Sequence, residues 1–174
     1  MSTGYPGRSF EQFVEGSEFP LQPLVITNWE AGAFSSLVRV HAFFTDAFHS
    51  VWPAIFPLAL TSFVISLLYR ERVIGDYCLG ICGLNDIRFL KRVDPGDVLR
   101  TRVGVHAKAL FPGKTCCGFV TLSLMVTDTK DSNVFTGQVR LLIKSHSGCA
   151  EKNCLVCGSE KTDEIILSEP VRGH

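Results

Sequence analysis

Val51 to Tyr69 reads VWPAIFPLALTSFVISLLY, nineteen residues without a charge, and the fold turns on whether this stretch crosses a bilayer or lies inside a protein core. Pro53 and Pro57 decide against a membrane span. Proline suits the first turn of a helix but breaks an interior, so a regular helix starts only at about Pro57. About a dozen residues then remain, too few to cross roughly 30 Å of hydrocarbon at 1.5 Å per residue. An apolar segment of this length fits a buried central helix, here expected to be apolar all round. Arg70-Glu71-Arg72 closes it.

Downstream of that helix the chain reads as strand. Asp76 to Leu90, Asp97 to Leu110, Thr115 to Asp128 and Val134 to Lys144 are rich in β-branched and aromatic residues. Turn signals separate them at Asp94-Pro95-Gly96-Asp97, Phe111-Pro112-Gly113-Lys114 and Asp128 to Asn133. Such short connections favour antiparallel neighbours. Upstream, Leu24 to Trp29 and Phe34 to Phe44 read as two strands of a hairpin turning at Glu30-Ala31-Gly32. The expected fold class is α+β, an antiparallel β-sheet wrapped around a central buried α-helix. Residues 1–21 read as an N-terminal arm with little regular structure, 22–144 as the domain, and 145–174 as a polar, cysteine-containing tail.

Composition narrows the function. The 174 residues are 46% hydrophobic and 20% charged, which suits one globular core and excludes disorder throughout. Seventeen basic residues balance seventeen acidic ones, so no global field draws the chain to nucleic acid or to an anionic membrane. The first residues, MSTGYPGRSFEQF, show neither the basic nor the apolar region of a secretory signal, and the expected location is cytoplasmic. Seven cysteines, an odd number, then point to reduced thiols. Cys78, Cys82, Cys116 and Cys117 fall in apolar strands and read as core or near-core. His146, Cys149, Cys154 and Cys157 form H-x2-C-x4-C-x2-C, which could supply four zinc ligands or could be incidental thiols on a flexible tail. No other cofactor is expected.

From about Pro23 to Lys144 the sequence resembles the hotdog-fold β-hydroxyacyl-carrier-protein dehydratases, and more distantly the MaoC-like enoyl hydratases. The resemblance rests on the acidic-glycine turn Glu30-Ala31-Gly32, on His49 standing eight residues before the helix-opening Pro57, and on the series from Gly83 to Asp97 (GLNDIRFLKRVDPGD). It implies a hotdog fold and a dehydratase-like protein acting on β-hydroxyacyl or enoyl thioesters in fatty-acid or polyketide biosynthesis. The thioester would be carried by acyl carrier protein or coenzyme A, and the protein would be a homodimer or pair with a second hotdog subunit.

Such a reaction needs a base for the α-proton, an acid for the departing hydroxyl and a dipole at the thioester carbonyl. His49 is the candidate base. The backbone N–H groups around Leu58, at the helix start, are candidates for the carbonyl site. The resemblance places a Glu or Asp fourteen residues after the histidine, where this chain has Phe63, and a glycine where it has Leu58. The general acid is therefore missing at its expected position, and Asp46 is the nearest substitute. Phe63 becomes a candidate for lining an acyl tunnel. His41 and His106 read as ordinary strand residues. Arg88, Lys91 and Arg92, with Arg100 and Arg102, read either as a solvated strand face or as a docking patch for an acidic carrier or for phosphates. Two other functions remain open: a non-catalytic acyl-binding partner, and a hotdog thioesterase, which would need a helix carboxylate also not found.

Overall fold

The computed structural model describes residues 7–37 and 57–146. Six strands appear there, β1 (Glu18–Pro20), β2 (Leu24–Val25), β3 (Cys78–Phe89), β4 (Val98–Leu110), β5 (Cys117–Thr127) and β6 (Asn133–Lys144), with helices α1 (Asn28–Leu37) and α2 (Pro57–Arg70). The sheet runs β1-β4-β5-β6-β3, and β2 pairs separately with β4. All of these pairings are antiparallel.

Alternation along β5 and β6 sets the two faces. Val120, Leu122, Leu124 and Val126 are buried while Thr121, Ser123 and Met125 are not, and Phe135, Val139, Leu141 and Ile143 continue the inner face on β6. Against this face lies α2, with Ala59, Leu60, Val64, Leu67 and Leu68 all at 2% exposure or less and in the same core cluster. The helix ends in a Schellman arrangement. The Val73 N–H donates to the Leu68 carbonyl, Arg72 N–H donates to Tyr69, and Arg72 takes the left-handed conformation at φ 57°.

The four long strands match their sequence reading to within two residues at each end. Their turns match as well, with Gly96 and Gly113 at positive φ where the Pro-Gly signals stand. Connectivity differs from the expectation in one respect. β3 and β4 are joined by residues 90–97 yet lie at opposite ends of the β4-β5-β6-β3 run. Eight extended residues reach up to about 28 Å, ample for three strand spacings of about 4.8 Å each, so a short connection here crosses the sheet rather than forming a hairpin.

The upstream hairpin is not formed. Residues read as strand, turn and strand give instead the two-residue β2 followed by α1, and the Glu30-Ala31-Gly32 turn lies inside that helix. The cause is a capping box. Thr27 Oγ1 accepts the Glu30 N–H at 3.2 Å, while the Glu30 carboxylate accepts the Thr27 N–H and hydroxyl, both at 2.8 Å. These bonds satisfy orphan donors at the helix start, and they also pull the Glu30 carboxyl below its usual pKa, the Thr27 N–H contributing most. Residues 38–44, the rest of the expected second strand, lie outside the described residues.

The described part of the N-terminal arm has more order than expected. A 3-10 turn at Phe10–Gln12 precedes β1, and Phe10 and Phe13 belong to the core. Gly118 makes room for Phe10, since a β-carbon there would stand 2.3 Å from the Phe10 ring. The core or near-core reading holds for Cys116 and Cys117, which are buried, and for Cys78, which is half-buried and packs against the core, but Cys82 is exposed on β3, an edge strand among the described residues.

The expectation that α2 is apolar all round is also corrected. Ser62, Ser66, Tyr69 and Arg70 are exposed on the face away from the sheet, and the Ser66 hydroxyl donates to the Phe63 carbonyl at 2.7 Å. Leu67→Asp should therefore unfold the protein, because an unpaired carboxylate in this core costs several kcal/mol. Ser66→Asp should leave the far-UV circular dichroism and the urea midpoint nearly unchanged. Equal effects of the two substitutions would contradict this orientation of α2.

Candidate active site

The resemblance puts the chemistry at the start of α2, and the structure describes one side of that region. Pro57 opens the helix and Leu58 sits in its first turn, so backbone N–H groups there have no partner within the helix and carry its positive dipole end. An oxyanion or thioester carbonyl is what such a group of donors holds best. Two turns on, Phe63 is half-buried, packs against the core and faces Phe34 of α1, with ring centroids 6.3 Å apart. An aromatic ring thus occupies the place where the resemblance puts a carboxylate. His49 and Asp46 lie outside the described residues, in the 38–56 segment that joins α1 to α2.

The basic stretch is divided by the fold. Lys91 is bonded to Asp128, whose carboxyl is pulled down to about 2 mainly by that hydrogen bond. Arg92 grips Asp94 through Nε at 3.0 Å and Nη2 at 2.8 Å. Arg88 instead lines a cavity of about 400 Å3 on the outer face of the sheet, together with Arg102 of β4. The three docking candidates therefore do not form one free patch. Sequence reasoning had no access to this division, which depends on strand register and on acidic partners up to 37 residues away.

On the tail side, His146 is the described member of the expected zinc set; Cys149, Cys154 and Cys157 lie outside the described residues. The His146 ring shares a hydrogen bond with the Tyr77 hydroxyl at 2.9 Å through Nδ1. Its backbone N–H donates to Glu11 at 2.9 Å, and the buried Ser145 hydroxyl also bonds that carboxylate. Burial alone would raise the Glu11 pKa, but the bonds from Ser145, from the His146 N–H and from the 3-10 turn outweigh it and hold the carboxyl down at about 2. The thiol of Cys78 is pushed up, chiefly by burial, which makes it a poor nucleophile at neutral pH.

No protein-family model matches the sequence, and no curated protein matches it either. Among solved structures, a putative MaoC domain protein dehydratase from Chloroflexus aurantiacus superimposes with a TM-score of 0.70 at 20% identity, over 84% of this chain and 43% of that one. A conserved hypothetical protein from Mycobacterium tuberculosis with a double hotdog fold gives 0.66 at 18% identity, over 89% of this chain and 51% of that one. The chain has the hotdog fold. It spans about half of each of those two proteins, one of which is itself a double hotdog. The C-terminally truncated HadBC (3R-hydroxyacyl-ACP dehydratase) complex, also from M. tuberculosis, gives 0.54 at 17% identity, over 74% of this chain and 96% of that one. Within the described part of the hotdog no helix is long and apolar enough to cross a membrane.

Glu11 yields a pH test of how β6 is anchored. Its folded pKa lies below the ordinary 4.5, so the stabilisation it gives is fully present above that value and is lost as pH falls through about 2. The urea midpoint should drop between about pH 6 and about pH 3 in the natural chain. Glu11→Gln should lower the midpoint at the higher pH and flatten this dependence. An unchanged slope in the variant would mean that Glu11 does not tie the N-terminal turn to the end of β6.

Proposed function

We propose that this hotdog chain is a dehydratase subunit for β-hydroxyacyl or enoyl thioesters, with His49 as the base, and that it works with a second hotdog subunit that supplies the acid. The observation that carries the reading is the set of structural neighbours. Over about three quarters or more of this chain they include proteins described as MaoC-like dehydratase, R-hydratase and 3R-hydroxyacyl-ACP dehydratase. The helix opening at Pro57, eight residues after His49, supports it from the sequence.

In the proposed reaction His49 removes the α-proton of the β-hydroxyacyl thioester, and the N–H groups at the start of α2 hold the enolate oxygen. The electron pair then closes the Cα–Cβ double bond as the β-hydroxyl leaves. A carboxylic acid protonates that hydroxyl, so water and a 2-enoyl thioester result. Phe63 donates no proton, and its packing against Phe34 leaves a ring where the acid is needed. A subunit that keeps a helix carboxylate would complete the site. Among the described residues β3 is paired on one side alone, and its other edge supports such pairing: Ile81, Leu84 and Phe89 are each 39% exposed or more along it. An unpaired strand edge with apolar side chains is a surface made for another chain. Acyl carrier protein or coenzyme A would deliver the thioester.

The test is a dehydration assay on a short β-hydroxyacyl thioester with the chain alone and with a carboxylate-bearing hotdog subunit from the same source. Low activity alone and high activity in the pair are expected, with His49→Ala lowering kcat of the pair by about 10² to 10⁴. Full activity of that variant pair would make the chain a non-catalytic acyl-binding partner. Strong activity of the chain alone would mean that it carries its own acid, and Asp46 would then be the residue to change.

A further inference from the structure

On the face of the sheet away from α2, strand register arranges side chains in two rows. Arg102 of β4, Met125 of β5, Thr136 of β6 and Arg88 of β3 are successive partners across the sheet. The next row on the same face runs from Glu18 of β1 through Gly104, Ser123 and Gln138. It ends near Asp86, which a bulge in β3 and a left-handed backbone at φ 50° turn toward the same cavity. One row thus has a guanidinium at each end, three strand spacings or about 14 Å apart, and the row two residues away, about 7 Å, has carboxylates at both ends. Gly104 keeps the floor low, since a β-carbon there would stand 2.7 Å from the Ser123 hydroxyl.

Among the described residues none of these four charged groups has a hydrogen bond or ion pair, whereas neighbouring Lys91, Arg92 and Arg100 are bonded to Asp128, Asp94 and Asp131. The lining has no net charge, two cations against two carboxylates. A simple anion, or the acidic surface of a carrier protein, would meet as much repulsion as attraction here. What the pattern complements is itself. A two-fold axis running just above this face, across the strands and midway between the rows, exchanges one row with the other. It sets Arg102 over the partner's Gly104, one strand spacing from the partner's Glu18 and within reach of it, and Arg88 against the partner's Asp86, giving four ion pairs in all. Arginine and glutamate side chains together span the roughly 10 Å at which stacked sheets pack.

We propose that this outer face is an isologous interface with a second copy of this chain, packed back to back through its sheet. The interface lies on a different surface from both the β3 edge and the start of α2, so it is independent of the subunit pairing proposed above. If both occur, the back-to-back contact doubles the species that the β3 edge forms.

Sedimentation velocity of the full chain at low and high salt tests this. The natural chain should associate at low salt and dissociate as salt screens the pairs. Arg102→Glu and Glu18→Arg should each weaken self-association at least about 100-fold, as expected for like charges brought face to face. An equimolar mixture of the two variants should associate again, because the carboxylate introduced in one then meets the guanidinium introduced in the other, and the second pair is natural. The chain carrying both substitutions should self-associate but fail to join the natural chain, and circular dichroism identical to that of the natural chain shows each variant folded. Equal masses for the natural chain and Arg102→Glu at low salt would overturn the proposal and leave the cavity to a small zwitterionic ligand. Failure of the mixed variants to associate would overturn it as well.

Discussion

A fourteen-residue helix with one apolar face does not persist alone in water, and among the described residues that face of α2 shares one core with the inner faces of β4, β5 and β6. Leu67 and Leu68 meet Val103, Leu122, Leu141 and their neighbours in one cluster, and the sheet must curve to reach both flanks of the helix. The other features are arranged around this contact. The Schellman turn after Arg70 directs the chain away so that Val73 and Ile74 also enter the core. The crossing from β3 to β4 places two strands that follow each other in sequence at opposite ends of the run. The start of the helix is where the 38–56 segment, which carries His49 and Asp46, joins the core.

Much of this could be read from the chain because strand burial is periodic and turn chemistry is local. The alternation in Cys117–Thr127 and the Pro-Gly turns at 95–96 and 112–113 define β4 and β5 without tertiary information. The helix position followed from Pro57. What failed was the reading of Asn28 to Leu37, where β-branched and aromatic residues suggested strand, turn and strand. Three hydrogen bonds between Thr27 and Glu30 outweighed that preference, and the signal was present in the sequence as T-x-x-E. Ser66 illustrates a second limit. It and Leu67 are adjacent on one helix yet differ completely in burial, and only the angle around the helix axis separates them.

The site was legible in part. Spacing located the helix start, the resemblance puts a carboxylate where Phe63 stands, and the Phe34 contact gives that ring a packing role. The basic cluster was not legible. Arg88, Lys91 and Arg92 lie within five residues, yet Asp128 and Asp94 neutralise two of them and the third lines a cavity on the outer face. Charge in a sequence carries no information about which partner the register will bring beside it.

The irregularities of β3 set the shape of its edge. Its pairing with β6 shifts three times, whereas β4–β5 and β5–β6 each shift once. Each shift bends and twists the strand, and a bent edge does not extend indefinitely into neighbouring sheets. Ile81, Leu84 and Phe89 are exposed along that strand; in the subunit pairing proposed above they would supply attraction, and the bulges would restrict it to a partner of matching curvature. A second hotdog sheet has such a curvature because it wraps a helix of its own. The bulge at Asp86 has a further effect: it adds one residue to β3 and turns a carboxylate to the outer face beside Arg88, so the distortion that shapes the edge also sets part of the charge pattern on the back of the sheet.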